Sequence, residues 1–117
     1  MIRRDWFKRH VEILAQALGV ALGLKKKGET SAAVAVIEAA VRSTFGLSGT
    51  LALGLSLKEF LSLACRGEKP SAELLSTLAE LFREWAGLLE KEGRAAEAAS
   101  ALGRAVELNQ LAGTKPG

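Results

Sequence analysis

The sequence predicts an all-α fold of antiparallel helical hairpins, about five helices in all, on three observations. First, 49% of the residues are hydrophobic, mostly Ala, Leu and Val rather than aromatic residues, a composition that favours helices over sheets. Second, proline occurs only at Pro70 and Pro116, so few positions interrupt a helix. Third, apolar residues recur at helical spacing through most of the 117 residues, a length that suits one domain with its own core.

The first predicted hairpin covers residues 5–45. Its first helix has Asp5 as the expected N-cap and carries two adjoining apolar stripes that cover more than half of its circumference. We therefore expect this helix to need two neighbours. Gly28 follows three lysines as a turn glycine, and a second helix is predicted from residues 29–31 to about Phe45. The two stripes of the first helix are Phe7, Val11, Leu14, Leu18 and Leu22, and Ile13, Ala17, Val20 and Leu24.

Residues 46–67 are predicted to form a connector and a short helix. Every second residue from Leu51 to Leu57 is leucine, as in a strand, but Gly49 and Gly54 weaken that assignment and a lone strand would have no partner. An irregular or short helical connector is the favoured interpretation. Ser56, with Glu59 three residues later, then predicts a capping box at the start of a short helix.

The second predicted hairpin covers residues 70–110. A long helix is expected from near Pro70 or Ser71 to Lys91, Gly93 turns the chain, and a final helix runs from Ala95 to about Gln110. One domain is thus predicted over residues 1–112, followed by a disordered tail at 113–117. The long helix carries a leucine-rich stripe, and the final helix presents residues at contact spacing: Leu74, Leu78, Leu81, Trp85 and Leu88, and Ala98, Leu102 and Ala105.

The two hairpins repeat one phrase, KGETSAAVAVIEAAVRS at residues 27–43 and EGRAAEAASALGRAVEL at residues 92–108. Their turn glycines, Gly28 and Gly93, lie 65 positions apart, close to twice a repeat of 34 residues. Small residues then fall where two antiparallel helices need close approach, and a larger residue falls between them. The matching sets are Ala33, Ile37 and Ala40 in the first hairpin, and Ala98, Leu102 and Ala105 in the second.

This pattern resembles the tetratricopeptide repeat, which implies a right-handed array of hairpins. The segment from 46 to 70 fits no full repeat, and Phe45 and Gln110 stand where the repeat usually has proline. The chain, which opens MIRRDWFKRHVEILAQAL, is also similar to a family of small uncharacterised bacterial proteins with tetratricopeptide-like helices, a resemblance that implies no activity. The repeat residues are Phe82, Trp85, Ala86, Leu89, Gly93, Ala98, Leu102, Ala105 and Leu108 in the second copy, and Ala17, Val20, Ala21, Leu24, Gly28, Ala33, Ile37 and Ala40 in the first.

The resemblance implies that the first helix of each hairpin lines a concave, peptide-binding face. Leu18 and Leu22 would lie on that face, where a large apolar patch is not left in water, so either the connector leucines or a second subunit should cover them. In the second hairpin the face would present Arg83 and Gly87 between glutamates, and the Lys and Asn side chains of a carboxylate clamp are absent.

Gly19 and Gly23 form a stripe of small residues on the first helix. Each glycine costs the helix about 1 kcal/mol relative to alanine, so a packing role is one interpretation: another helix approaches closely, across a homodimer axis. The alternative is that these are ordinary surface glycines.

Basic residues are concentrated at the amino terminus. Up to Gly28 the chain has seven basic and two acidic residues, whereas the remainder has nine basic and eleven acidic ones. Such asymmetry can mark a nucleic-acid or acidic-partner surface, although lysines also favour the carboxyl end of a helix. Trp6 and Phe7 are expected in the core rather than as stacking platforms. The basic residues nearest the amino terminus are Arg3, Arg4, Lys8 and Arg9.

The sequence offers little catalytic or membrane-spanning chemistry. His10 is the only histidine and has no partner at ligand spacing, and Cys65 is a lone cysteine in an apolar run, so we expect structural roles for both, no internal disulfide, no metal site and no cofactor. The apolar run from Ile13 to Leu24 is shorter than the roughly 20 residues of a bilayer span, and no signal peptide is recognised. These features predict no membrane crossing and a cytoplasmic protein.

The predicted function is a non-enzymatic protein–protein interaction module that self-associates as a homodimer. Two hairpins are fewer than the three repeats that a stable array needs, and a second copy could supply the missing neighbours. The alternative is nucleic-acid or acidic-partner binding through the basic first helix. The residues predicted for contact are Leu18, Gly19, Leu22 and Gly23, with Arg3, Arg4, Lys8 and Arg9 as an auxiliary site.

Overall fold

The computed structural model describes residues 2–113, with side chains from Trp6 onward. This part of the chain is helical throughout apart from short turns, and it contains no strand, which confirms the predicted all-α class. None of its helices has the length and hydrophobicity required to cross a bilayer. The six helices are α1 (Ile2–Lys26), α2 (Thr30–Phe45), α3 (Gly49–Gly54), α4 (Leu57–Ala64), α5 (Ala72–Lys91) and α6 (Ala95–Gly113).

Three boundaries differ from those predicted. Helix α1 begins at Ile2, so Asp5 lies inside the helix and is not its N-cap. The connector contains α3, a short helix whose N-cap Ser48 accepts a hydrogen bond from the amide of Leu51, which brings the number of helices to six. The final helix continues to Gly113, and the tail residues predicted to be disordered lie, from position 114 onward, outside the described residues.

Both hairpin turns have the predicted glycine and the same hydrogen bonds. Gly28 and Gly93 both have φ of +78°, a left-handed conformation that favours glycine because it has no Cβ. The amide after each glycine donates to the leucine carbonyl five residues earlier, from Glu29 to Leu24 at 2.9 Å and from Arg94 to Leu89 at 3.0 Å. This is the Schellman arrangement that ends a helix. The two turns are therefore structural equivalents, 65 positions apart.

Close approach within each hairpin depends on buried alanines. Ala33 and Ala40 of α2 are buried, as are Ala98 and Ala105 of α6, and in each hairpin the two helices pack along their length. A methyl side chain lets the helix backbones approach closely while the larger residues fill the space around them. The predicted small-residue contacts are confirmed, with one exception: Leu102, which was expected to pack between the alanines, is 51% exposed.

Helix α5 joins the two hairpins. It packs on α6, its own partner, and also on α1 and α2. Lys25 of α1 forms an ion pair with Glu84 of α5, with Nζ and Oε1 3.2 Å apart, and the Ser31 hydroxyl at the start of α2 donates to the Glu92 carboxylate just after α5. These two contacts place the carboxyl end of α5 beside the α1–α2 turn, so α5 runs in the same direction as α1.

A row of ring contacts crosses the core from α1 to α5. Successive ring centroids are 4.2 to 5.8 Å apart, and four of the five contacts are edge-on, the geometry that aromatic quadrupoles prefer. The row connects four helices, so the connector helix α4 takes part in the same core as both hairpins. Its members, in order, are Trp6, His10, Phe45, Phe60, Phe82 and Trp85.

Arg104 ties α6 to the connector. Its side chain is only 5% exposed, and its guanidinium donates hydrogen bonds to the backbone carbonyls of Ala52, at 3.1 Å, and Leu55. These carbonyls lie at the carboxyl end of α3, where a helix leaves acceptors unpaired and favours a cation. The short helix is thus held by a side chain from α6, a contact that the sequence pattern does not reveal.

Candidate interaction site

The four residues predicted for contact fall into three different environments. Leu18 is 9% exposed and belongs to the core, whereas Leu22 is 37% exposed. Gly19 and Gly23 are exposed, and a methyl group added to either would have no neighbour within 4 Å. Within the described chain, therefore, no helix uses these glycines for close approach.

Leu18 and Leu22 lie on a helix that already has two neighbours. Helix α1 packs against α2 and α5, while the connector helix α3 packs mainly against α2 and α6, and α4 packs mainly against α6. The burial of Leu18 therefore comes from the two hairpins rather than from the connector leucines. A homodimer interface centred on Leu18 would have only the exposed part of Leu22 to bury.

Among residues 6–113, the basic residues of α1 lie beside no free aromatic ring. Lys8 and Arg9 are exposed, whereas the side chains of Arg3 and Arg4 lie outside the described residues. Trp6 is only partly exposed: it stacks against His10, and the Arg66 guanidinium lies 5.8 Å from its ring centre. Base stacking, which single-stranded nucleic-acid binders use, would require this ring to leave its neighbours.

An open groove between α5 and α6, here called the end groove, lies on the outer side of the second hairpin. Alanines form its floor, Leu102 and Val106 of α6 form one wall, and Glu80, Arg83 and Glu90 of α5 stand on the other. Leu102 is 51% exposed and Val106 49% exposed. The predicted packing of Leu102 is wrong, because no helix within residues 2–113 packs on this side of α6.

A second uncovered surface lies on α1, on the side away from α2 and α5. We call it the α1 outer face and define it by Arg9, Ile13, Gln16, Val20 and Gly23, all of which are exposed. Ile13 is 36% exposed and Val20 49% exposed, although the sequence pattern places both in an apolar stripe. The predicted need of α1 for two neighbours is met by α2 and α5, and this part of the stripe remains in water.

His10 and Cys65 are buried in the core and show no catalytic geometry. Burial and the nearby Arg66 charge lower the pKa of His10, so its ring is neutral at pH 7, and neither ring nitrogen has a hydrogen-bond partner. Burial raises the pKa of the Cys65 thiol to about 11, which suppresses the reactive thiolate. Within residues 6–113 no three His, Cys, Asp or Glu side chains are grouped as a metal site would require.

Sequence periodicity missed the end groove because it counts every apolar residue at helical spacing as core. Leu102 and Val106 have the spacing of a packed stripe, yet both are about half exposed, because no helix in the described chain packs on that side of α6. Comparisons with known protein families, with curated proteins and with solved structures found no match to this chain.

Proposed function

We propose that this protein is a non-enzymatic protein–protein interaction module that associates with itself. The observation that carries the proposal is the end groove, an alanine-floored channel between two helices with two large aliphatic side chains half in water. Large aliphatic side chains left half exposed along a groove are typical of a binding site for another protein, because leaving them in water costs free energy.

The proposed architecture is a tetratricopeptide-like array of two hairpins. Two features support it: the turns at Gly28 and Gly93 are equivalent, and α5, the first helix of the second hairpin, packs on both helices of the first. In repeat arrays each unit buries its face against the next, so the terminal units need a cap or a partner. No helix within residues 2–113 covers the end groove, and a second copy bound there would bury it.

The buried polar groups favour a structural over a catalytic interpretation of the chain. His10 is neutral between aromatic rings, Cys65 is held as a thiol, and Arg104 is engaged with backbone carbonyls. A catalytic acid, base or nucleophile needs solvent or substrate access and a partner at hydrogen-bond distance. These three side chains are instead used to build the core.

Self-association is tested by measuring the mass in solution. Multi-angle light scattering across a concentration series should give a mass above the 12.4 kDa of one chain, rising with concentration. A mass of one chain up to the highest concentration attainable would refute self-association. Repeating the series in high salt separates apolar contact, which persists, from contact between charges, which weakens.

Nucleic-acid binding through Lys8 and Arg9 is tested in parallel with a fluorescently labelled single-stranded oligonucleotide. Binding that weakens steeply with salt and is lost in a Lys8→Glu and Arg9→Glu double variant would favour this alternative. We expect no specific binding, because Trp6 is occupied by His10 and Arg66 and the charges at the two ends of α1 are separated by its full length.

A further inference from the structure

Equivalent residues of the two hairpins are buried to different extents: those of α2 lie in the core, and those of α6 lie in water. In α2 the residues Val34, Ile37 and Val41 are 3%, 0% and 0% exposed. Their equivalents in α6, 65 positions later, are Ala99, Leu102 and Val106, and all three are exposed and line the two depressions that make up the end groove. Helix α5 packs on the first hairpin, and nothing in the described chain packs on the corresponding side of the second. The end groove is thus the site where a helix placed like α5 is missing.

Helix α1 likewise exposes residues whose equivalents in α5 are buried. Five α5 residues are buried to 1% exposure or less, whereas their equivalents, 65 positions earlier, are the five exposed residues of the α1 outer face. The α1 outer face therefore corresponds to the surface with which α5 joins the core. The buried residues are Leu74, Leu78, Leu81, Trp85 and Leu88, and their exposed equivalents are Arg9, Ile13, Gln16, Val20 and Gly23.

We propose that a second copy of this chain occupies the end groove with its α1 outer face, head to tail, repeating between molecules the packing of α5 on the first hairpin. This inference rests on the proposed function and specifies its partner and geometry. Because the two surfaces are different, the contact is heterologous. An open assembly of any length therefore has a free α1 outer face at one end and a free end groove at the other. The assembly therefore grows as a chain of copies or closes as a ring, and it is not a two-fold dimer.

The two segments that carry these faces have net charges of opposite sign. Residues 1–28 have seven basic and two acidic residues, whereas residues 72–113 have seven acidic and four basic ones. The equivalence also predicts a specific neighbour pair. Ser31 contacts Glu92 within one chain, so Ala96 of one copy should face Lys27 of the next, and Glu97 lies beside that position. Association of opposite charges speeds the encounter and fixes the register.

The contact between copies should be weaker than the contact within the chain. Three of the five positions on the α1 outer face are Arg9, Gln16 and Gly23, where α5 has leucine. Less apolar area is then removed from water, and polar groups at the edge must be partly desolvated. We expect a reversible assembly whose mean mass rises continuously with concentration rather than stopping at two chains.

Complementation between two variants distinguishes this arrangement from a two-fold dimer. Leu102→Glu damages only the end groove and Val20→Glu damages only the α1 outer face, so each variant alone should lose association, with a dissociation constant raised about tenfold or more. An equimolar mixture should recover a one-to-one pair, because each variant retains the face that the other lacks. Leu63→Glu is the matched control: Leu63 is 53% exposed on α4, outside both faces, and this variant should associate like the unmodified chain.

Cross-linking tests the predicted register. A Lys27→Cys variant mixed with an Ala96→Cys variant should give a covalent heterodimer with a short bifunctional maleimide, whereas the Lys27→Cys variant alone should not. Both positions are exposed, and the native Cys65 is buried and so unavailable to the reagent. Circular dichroism of each variant checks that the helical fold is retained.

Three outcomes overturn the inference. If the unmodified chain remains a monomer, the proposed self-association fails and the head-to-tail arrangement fails with it. If the chain associates but neither Leu102→Glu nor Val20→Glu weakens association, self-association stands and this geometry is wrong. If both variants lose association and the mixture does not recover it, the interface is not formed by one face of each kind.

Discussion

His10 and Arg104 are the two polar side chains buried in the described part of the protein, and they are buried in different ways. Arg104 is compensated, since its guanidinium donates to two carbonyls and its Nε lies 3.6 Å from Glu107, an ion pair longer than a hydrogen bond. His10 has ring contacts with Trp6 and Phe45 but no hydrogen bond. A buried polar group without a partner costs free energy, so His10 is buried as a neutral ring.

The protein should lose stability in mild acid because of His10. Its pKa is lowered in the folded state from about 6.5, first by burial and then by the Arg66 charge, so the unfolded chain binds the proton more readily. The free energy of unfolding should therefore fall as the pH drops below about 6.5 and toward the lowered folded pKa. Urea unfolding between about pH 7.5 and pH 5 measures this slope.

A His10→Phe variant provides the control for this pH dependence. Phenylalanine keeps an aromatic ring between Trp6 and Phe45 and cannot bind a proton, and the chain has no other histidine. The slope between about pH 7 and pH 5 should be much reduced in the variant. An equal slope in both proteins would mean that carboxylates, and not His10, set the acid sensitivity.

Replacing Arg104 should destabilise the fold more than replacing an exposed arginine. Arg104→Met keeps the length of the side chain but leaves the carbonyls of Ala52 and Leu55 without their charged donor, at a cost of about 2–3 kcal/mol in the free energy of unfolding. Arg42→Met, at an exposed position on α2, should change it by less than about 0.5 kcal/mol. Urea denaturation at neutral pH measures both. Equal effects would contradict the role assigned to Arg104.

At the scale of the elements, local signals determined most helix boundaries. The predicted capping box forms as expected, with Ser56 and Glu59 each bonding the other's backbone amide, and α5 begins where predicted, with Ser71 as its N-cap. The connector was harder to predict, because the alternating leucines from Leu51 to Leu57 have the pattern of a strand. In the structure, Ser48 instead caps a short helix there. That helix is further held by Arg104, 52 positions away from Ala52, and no local signal carries such a contact.

The same substitution, glycine to alanine, should have opposite effects at two positions of the second hairpin. Gly93→Ala places a Cβ in a left-handed conformation, at a cost of about 1–2 kcal/mol in the free energy of unfolding. Gly103→Ala lies in the exposed middle of α6, where an added methyl has no neighbour within 4 Å, and should stabilise the protein by about 1 kcal/mol. Thermal and urea unfolding measure both changes. A stabilising Gly93→Ala would show that the turn is not needed in its present form.

For the whole molecule, the central feature is that the apolar residues of α5 are buried, whereas part of the apolar stripe of α1 and part of that of α6 remain exposed. Helix α5 buries ten residues against the rest of the chain, and its charged face is left to the solvent. The end groove and the α1 outer face are the surfaces of the two hairpins that no helix in the described chain covers. The packing that buries α5 between the two hairpins therefore also leaves the end groove and the α1 outer face on the outside.

Because a folded copy would bind only other folded copies, the thermal midpoint of unfolding should depend on protein concentration. We expect it to rise as the concentration of the unmodified chain is increased, since a folded partner stabilises the folded state by mass action. The Leu102→Glu variant should show no such dependence, and the Leu63→Glu control should behave like the unmodified chain. Differential scanning fluorimetry over a wide concentration range measures this, and a midpoint independent of concentration in the unmodified chain would contradict the proposal.

The sequence by itself determined the helical class, the two hinge glycines, the buried alanines and the starts of α2, α4, α5 and α6, because each depends on residues within a few positions of one another. Tertiary structure alone decided which apolar stripes are covered. Ile37 and Leu102 occupy the same place in equivalent hairpins, yet one is fully buried and the other half exposed. The physical reason is that burial depends on whether another helix packs on that side: within residues 2–113, α5 packs on that side of the first hairpin and no helix does so on the second.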